Sequence, residues 1–140
     1  MLAQIGVKDM KEPRLRVVAM PSDTNPAGNI FGGWIMSQMD LAASVAAREL
    51  APEGVATVSM DKVVFKQPVF VADVLSCYAK IMSVGNSSIK VDVEVISDRI
   101  SKEGFAMCVP VCSASLTFVA LDKNGEKKLI DDDLKKIHGF

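Results

Sequence analysis

A chain of 140 residues is long enough for one domain with one sizeable hydrophobic core. The formal net charge of -1 gives no electrostatic argument for a nucleic-acid partner, because such proteins normally carry a basic patch or stripe. No stretch approaches the roughly 18 uninterrupted apolar residues of a membrane span, and the N-terminus lacks the basic and apolar pattern of a signal peptide.

The first part of the chain predicts a short strand, a loop and one long helix. Leu15 to Met20 is an apolar run of strand length, and Pro21 to Asn29 is rich in turn-forming residues. From Gly32 to Leu50 apolar residues recur at the 3.6-residue period, and Pro52-Glu53-Gly54 ends the helix. Its predicted buried face carries Ile35, Met39, Ala42, Ala43, Ala46 and Leu50. Because half of these side chains are alanine, we expect a curved sheet to enclose the helix closely.

The remainder predicts four long antiparallel strands. Residues 56–66 alternate in polarity and stop at Gln67-Pro68, and residues 74–84 and 89–96 are joined by a hairpin turn at 85–88. In the second arm of this hairpin, Ile89, Val91, Val93 and Val95 predict a buried face, and Lys90, Asp92, Glu94 and Ile96 a wet one. Phe105 to Leu121 is a long strand with an expected kink at Pro110, and the charged tail from Lys127 is expected to be frayed or weakly helical.

The predicted helix begins with a glycine pair and carries one carboxylate. Gly32 and Gly33 leave N–H groups free at the helix start, where the peptide dipoles favour developing negative charge, so this is a candidate oxyanion site. Asp40 is flanked by Met39 and Leu41 and followed mostly by alanine, so little on this helix neutralises its charge. Both features also have ordinary interpretations, since a helical Asp usually lies on the solvated face and a glycine pair often only makes a turn.

Several other kinds of site are not expected. The only histidine, His138, lies in the tail and no Gly-x-Ser-x-Gly motif is present, so a Ser-His or Cys-His pair is not predicted. No cluster of metal ligands is predicted either. Cys77, Cys108 and Cys112 lack Cys-x-x-Cys spacing and lie in apolar runs, which indicates buried, reduced thiols in a cytoplasmic protein.

The element order and the run DTNPAGNIFGGWIMSQMD, which ends at Asp40, resemble the hotdog-fold acyl-CoA thioesterases, specifically the short-chain YciA-like branch. The resemblance covers roughly Arg14 to Asp122. It implies an α+β hotdog fold, an antiparallel sheet wrapped around a central helix, as a single domain over residues 1–140 with a core of about 14–122 and a charged tail at 123–140. Two positions differ: family members often carry Asp where this chain has Asn29, and related branches carry His where it has Phe31.

The resemblance implies hydrolysis of acyl-CoA thioesters to CoA and a carboxylic acid, without a cofactor other than the CoA of the substrate. Asp40 is then the general base or the nucleophile, the Gly33 N–H is the oxyanion donor, and Asn25 binds the carbonyl or orients water. Implied CoA contacts are Gly32, Asn29, Phe65, Lys66, Gly85, Asn86, Ser87 and Ser88. Candidate cations for the CoA phosphates are Lys66, Lys90 and Arg99. Asn25 and Asn29 also fit as plain loop formers, and residues 85–88 as a plain hairpin connection.

Two alternatives come from the same fold. Hotdog hydratases and dehydratases resemble sites built on a His with an acid, and the predicted folded body of this chain has no His. A non-catalytic acyl-CoA-binding or sensing protein would keep the CoA contacts but would not need Asp40. The preferred acyl chain is not predicted.

Helix geometry predicts that the active site is shared between two chains. Gly33 and Asp40 are seven residues apart, which at ~1.5 Å per residue separates their backbones by about 10 Å. Both groups must lie within roughly 3 Å of the reacting atoms, so one chain cannot easily supply both. We therefore expect a homodimer with two equivalent shared sites. The family further implies a trimer of dimers.

Overall fold

The computed structural model describes residues 12–140, and this part of the chain contains five strands and two α-helices. In chain order these are β1 (Leu15–Val18), α1 (Gly32–Ala47), β2 (Val55–Phe65), β3 (Val74–Val84), β4 (Ser88–Ile100), β5 (Ala106–Ala120) and α2 (Asp132–Ile137). One turn of 3-10 helix covers Pro21–Asp23. The α-helix ends three residues earlier than predicted, and the tail forms the short helix α2.

All five strands form one antiparallel sheet in the order β1-β3-β4-β5-β2, and α1 contacts every strand. The predicted helix face is confirmed, because Ile35, Met39, Leu50 and the alanines of that face are all buried. They pack against the inner face of the sheet, where Val91, Val93 and Val95 are fully buried. The α+β hotdog architecture is therefore confirmed.

The strand β2 differs from the predicted simple alternation. Its pairing with β5 shifts between Thr57 and Ser59 and again between Asp61 and Val64, and Lys62 has a positive φ of 55°. Each extra residue turns the following side chains to the other face of the sheet. Val58 and Val64 are consequently exposed. The strand lies at one edge of the sheet, so its outer backbone edge is unpaired within the described residues.

The predicted wet face of β4 is wrong at two positions. Glu94 and Ile96 are buried, whereas Lys90 is exposed as expected. The pairing of β4 with β5 shifts between Val95 and Ile96, opposite Pro110, which agrees with the expected kink. The long side chain of Lys66 reaches Glu94 and forms an ion pair with it. The polarity pattern of a strand could not predict this partner, which is 28 residues distant.

The prediction for the cysteines is wrong at one of the three positions. Cys77 and Cys112 are buried on the inner face of the sheet, but Cys108 is exposed near the β4–β5 turn. All three are free thiols. Within residues 12–140, no helix is long and apolar enough to cross a membrane.

Candidate active site

A cavity of about 520 Å³ lies at the N-terminal end of α1. Its walls come from the loop before the helix, the first turn of the helix and the segment that follows β2. Five of the predicted site residues line it: Asn25, Asn29, Gly32, Phe65 and Lys66. The structure therefore brings together residues that are up to 41 positions apart in the sequence (66 − 25).

The first amides of α1 are free to bind a ligand. Phe31 is the N-cap residue and provides no side-chain hydrogen bond to the helix start. The Phe31 carbonyl accepts hydrogen bonds from Trp34 and Ile35, but the N–H groups of Gly32 and Gly33 have no acceptor among the described residues. Free N–H groups at a helix start attract an anion or a developing negative charge.

Glycine at position 32 permits the close approach of an aromatic ring. A Cβ atom added at Gly32 would lie 2.9 Å from Cζ of Phe65, which is too close for any real Cβ. Glycine therefore lets the Phe65 ring pack directly on the helix start. This contact places the Phe65 ring in one wall of the cavity.

The Asn25 side chain shapes the loop and retains one free donor group. Its Oδ1 accepts hydrogen bonds from the backbone N–H of Ala27 at 3.0 Å and of Asn29 at 3.1 Å. Through this oxygen, Asn25 therefore stabilises the loop before α1. Its Nδ2 has no acceptor in the part of the chain that the structure describes, and neither does the side-chain amide of Asn29. Both amides remain available to a ligand in the cavity.

Asp40 is half-buried, and it does not line this cavity. Its Oδ1 accepts a hydrogen bond of 2.6 Å from the Thr57 hydroxyl. This threonine was missed by sequence analysis, since only the packing of β2 beside α1 brings it to the helix. Ser37 and Gln38 lie near Asp40 on α1 but make no hydrogen bond to it in the described part of the chain. The Ser37 hydroxyl donates to the Trp34 carbonyl, and the Gln38 amide donates to Ser37.

The turn at Gly85–Ser88 lies at the opposite end of the molecule from the cavity. Ser88 pairs with Val119, and Phe65 pairs with Cys112, so the two sites are seven residues apart along β5. At ~3.4 Å per residue this is about 24 Å. The backbone of this turn binds the end of β5 and the segment that follows it, because the Ser87 carbonyl accepts from the Ala120 N–H and the Asn86 carbonyl accepts from the Ile130 N–H.

The three candidate cations have different surroundings. The Lys66 ammonium donates to Glu94 at 2.7 Å. The Arg99 guanidinium donates to Asp73 at 2.8 Å and to the Pro68 carbonyl at 3.1 Å, and lies over the Phe70 ring. Lys90 is exposed, and no ion-pair partner for it is found within residues 12–140.

The cysteines are poor candidates for nucleophiles. Burial, and to a smaller degree the nearby Cys112, raises the pKa of Cys77 to about 12. Burial also raises the pKa of Cys112 to about 11. The exposed Cys108 thiol donates to Asp98, and this hydrogen bond raises the pKa of Cys108 as well. Since the thiolate is the reactive form, none of the three is activated. No group of three or more potential metal ligands occurs among the described residues.

The sequence matches known proteins along most of its length. The model of the thioesterase superfamily matches residues 27–104. An uncharacterised acyl-CoA thioester hydrolase of Haemophilus influenzae is 47% identical over 83% of this chain and 75% of its own length. The acyl-CoA thioester hydrolase YciA of Escherichia coli is 38% identical over 83% of this chain and 88% of its own length.

The fold of this chain closely resembles those of several solved structures. A hexameric hotdog fold thioesterase of Campylobacter jejuni is 60% identical, with a TM-score of 0.93 over 94% of this chain and 99% of that chain. The hexameric broad specificity acyl-coenzyme A thioesterase HI0827, crystallised as an Asp-to-Ala mutant, is 43% identical, with a TM-score of 0.81 over 89% and 92%.

An acyl-CoA hydrolase of Staphylococcus aureus is 30% identical, with a TM-score of 0.70 over 89% of this chain and 78% of that chain. It has been crystallised both as a Thr-to-Ala and as an Asp-to-Ala mutant. The family model spans α1 and strands β2 to β4, and the relatives align over most of the chain. This chain therefore belongs to the thioesterase superfamily, with the hotdog fold and with YciA among its relatives.

Proposed function

We propose that this protein hydrolyses acyl-CoA thioesters to free CoA and a carboxylic acid. The observation that carries the proposal is the Asp40 carboxylate, which accepts a hydrogen bond from Thr57 on β2. The helix that carries Asp40 also has free N–H groups at its start. The mutated Asp and Thr of the Staphylococcus hydrolase are seventeen positions apart, and so are Asp40 and Thr57. The equal spacing supports a functional role for this pair, and the names of the relatives support the substrate class.

Asp40 is assigned as general base or as nucleophile, and both routes balance. As base, the carboxylate accepts a proton from water while the hydroxide adds to the thioester carbonyl carbon. As nucleophile, a carboxylate oxygen adds to that carbon, and water later hydrolyses the resulting mixed anhydride. In both routes the carbonyl oxygen becomes negative, and CoA leaves as a thiolate that takes up a proton.

The Gly33 N–H is assigned as the donor to the oxyanion. It lies in the first turn of a 16-residue helix and has no acceptor in the described part of the chain. Such a donor contributes most where water is excluded and negative charge develops. The Nδ2 of Asn25 is assigned to the substrate carbonyl or to the attacking water.

Each active site is proposed to combine two protomers. Gly33 and Asp40 lie on one uninterrupted helix, so their backbones are separated by seven residues, or about 10 Å. The cavity residues lie at the start of α1. The Gly85–Ser88 turn lies near the segment that follows the other end of α1. Two antiparallel copies would bring the cavity of one protomer toward Asp40 and the turn of the other.

The surface around Asp40 supports this dimer. Leu41 and Val45 on α1 and Val58 and Val64 on β2 expose between 43% and 64% of their surface. Leu41 and Val58 directly follow Asp40 and Thr57 in the chain, and β2 is an edge strand. An apolar strip beside an unpaired edge suits a second copy of the chain. Further assembly into a trimer of dimers is proposed from the hexameric relatives.

The reaction is proposed to need no cofactor beyond the CoA of the substrate, since a carboxylate, water and N–H donors supply the chemistry. Activity should therefore survive exhaustive dialysis against EDTA. A cytoplasmic location is proposed because all three cysteines are free thiols.

The activity is tested with the purified protein and acetyl-CoA, butyryl-CoA and a longer acyl-CoA, by following free CoA with a thiol reagent. We expect CoA release by the wild type and a turnover at least about a hundredfold lower in Asp40→Asn. Binding of acyl-CoA without release would indicate a non-catalytic binding protein and would refute the proposal.

The shared site is tested by complementation. Asp40→Asn and Asn25→Ala chains are unfolded together, refolded and assayed. If Asn25 acts opposite the partner subunit's carboxylate, each hybrid dimer keeps one intact site, and activity recovers well above either homodimer. Absence of recovery, with subunit exchange shown by mass spectrometry, would place both residues in one chain.

A further inference from the structure

The buried carboxylate of Glu94 forms an ion pair with Lys66, which is the one lysine among the described residues that line the cavity. The Lys66 side chain is 23% exposed and lines the cavity, whereas the Glu94 side chain is only 1% exposed. The two groups meet at 2.7 Å through Oε1 of Glu94. The other oxygen, Oε2, is buried without a hydrogen-bond partner among residues 12–140.

This arrangement is a costly way to tie the end of β2 to β4. A buried ion pair rarely stabilises a fold more than a well-packed apolar pair, and an unpaired carboxylate oxygen adds to the cost. The backbone already joins these strands through β5, because the Lys66 N–H donates to the Val111 carbonyl at 2.8 Å. The pair therefore calls for a role besides structure.

The charge of Lys66 is largely offset within the protein. The Glu94 carboxylate lies 2.7 Å from the Lys66 ammonium and is almost fully buried, so the two opposite charges are in direct contact away from water. An ammonium carries three N–H donors, and Glu94 uses one of them. The pair therefore presents hydrogen-bond donors to the cavity with little net charge.

We infer that Lys66, held in place by Glu94, binds an uncharged carbonyl oxygen of the thioester substrate and not a CoA phosphate. This inference rests on the proposed function. The neighbouring donors agree with it, since the Asn25 amide and the Gly32 N–H are uncharged and the Phe65 ring and Ile35 are apolar. Glu94 is a positioning residue, because it is too deeply buried to contact substrate. Of the candidate cations for phosphate, Lys90 is exposed and lies only two residues from Ser88.

The test compares two substrates that share a thioester and a pantetheine arm, but of which only one carries the nucleotide and its phosphates. These are butyryl-CoA and butyryl-pantetheine. We expect Lys66→Met to raise KM about tenfold for both substrates, the size of one lost hydrogen bond, and equally at low and high salt. Lys102→Met, a change of an exposed lysine in the β4–β5 turn, is the matched control and should leave both values unchanged.

Two results would overturn the inference. A rise confined to butyryl-CoA that disappears at high salt would assign Lys66 to a phosphate. Unchanged KM values for both substrates would leave the pair a structural tie only. Because Lys66→Met strands a buried carboxylate, the double variant Lys66→Met/Glu94→Leu, which removes both charges, is assayed as well and should show the same rise.

The role of Glu94 is tested by Glu94→Gln, which keeps the shape and removes the charge. The charge of Lys66 is then no longer offset, so the preference for butyryl-CoA over butyryl-pantetheine should increase at low salt and return to the wild-type value at high salt. A merely structural role would change the melting temperature and not this salt dependence. If the wild type hydrolysed neither substrate, the proposed function would fail, and calorimetric binding of both compounds to wild type and Lys66→Met would give the same comparison.

Discussion

Replacing Thr57 by valine tests whether Asp40 depends on the strand beside it. Valine keeps the β-branched shape and removes only the hydroxyl that donates to Asp40 Oδ1 at 2.6 Å. A hydrogen bond to a charged group contributes about 1.5–3 kcal/mol. At about 1.36 kcal/mol per factor of ten, we expect kcat to fall by about 10- to 150-fold. Thr57 is exposed to water in one protomer, and a loss of about 10-fold applies if it stays exposed. A loss of about 150-fold applies if a partner subunit covers the hydrogen bond.

The assay is the initial rate of CoA release from butyryl-CoA under saturating conditions. Thr57→Ser keeps a hydroxyl and should remain close to wild type. Thr117→Val makes the same chemical change on the adjacent strand β5 and should not affect kcat. Equal melting temperatures for the three variants would show that a loss in Thr57→Val does not arise from unfolding.

A double mutant separates a direct role of Thr57 from a role through Asp40. If the hydroxyl acts by holding the carboxylate, Thr57→Val should cost little further activity in an Asp40→Asn background. Independent losses that multiply would show that Thr57 contacts the substrate or water by itself. A Thr57→Val enzyme with wild-type kcat would refute the assignment of this hydrogen bond to catalysis.

Asp40→Asn should lower kcat by at least about a hundredfold while CoA binding persists, and wild-type turnover would exclude Asp40 as the catalytic carboxylate. Asn25→Ala should cause a smaller loss of kcat, and a loss larger than that of Asp40→Asn would reverse the assigned roles. Ser88→Asp should raise KM for butyryl-CoA more than it lowers kcat, since it places a negative charge near the proposed phosphate site; an unchanged KM would move that site elsewhere. A thiol reagent should modify only Cys108 in the native protein and all three cysteines after unfolding, and two fast thiols in the native state would contradict the burial. The pKa of Cys112 is raised from 9.0 to about 11 in the folded protein, so its neutral thiol stabilises the fold fully below pH 9.0. This stabilisation is lost as the pH rises through 11. Between pH 9.0 and 11 the unfolding free energy of the wild type should therefore fall more steeply with pH than that of Cys112→Ala.

The fold could be predicted because its main elements are specified locally. The 3.6-residue period of α1 identified the buried face, and the alanines in that face indicated a sheet that approaches closely. The hairpin turn at Gly85–Ser88 was visible in its residue types. Gly32 was identified from the glycine pair at the helix start, whereas Asn25 and Phe65 came from the family resemblance, which carried information about packing that periodicity does not contain.

The errors and omissions all involve contacts between distant parts of the chain. The bulges of β2 depend on pairing with β5, so Val58 and Val64 were not predicted to be exposed. Thr57 reaches Asp40 only because β2 packs beside α1, which the sequence of neither element shows. Glu94 was assigned to a wet face because the alternation of β4 gives no sign that Lys66 covers it. A polarity pattern reports which face a residue occupies on its own strand, and not which side chain from elsewhere lies over that face.

The separation of the two groups of site residues follows from the length of the central helix. A 16-residue helix is about 24 Å long at ~1.5 Å per residue, and the seven residues of β5 between the cavity and the Gly85–Ser88 turn also span about 24 Å. No bending of one protomer closes this distance, because the helix is enclosed by the sheet along its buried face. The second antiparallel copy that we propose would close it by symmetry, since its Asp40 and its turn would then approach the cavity of the first. In the proposed dimer that copy would pack on the exposed apolar residues of α1 and β2, so the contact that would stabilise the dimer would also complete its two active sites.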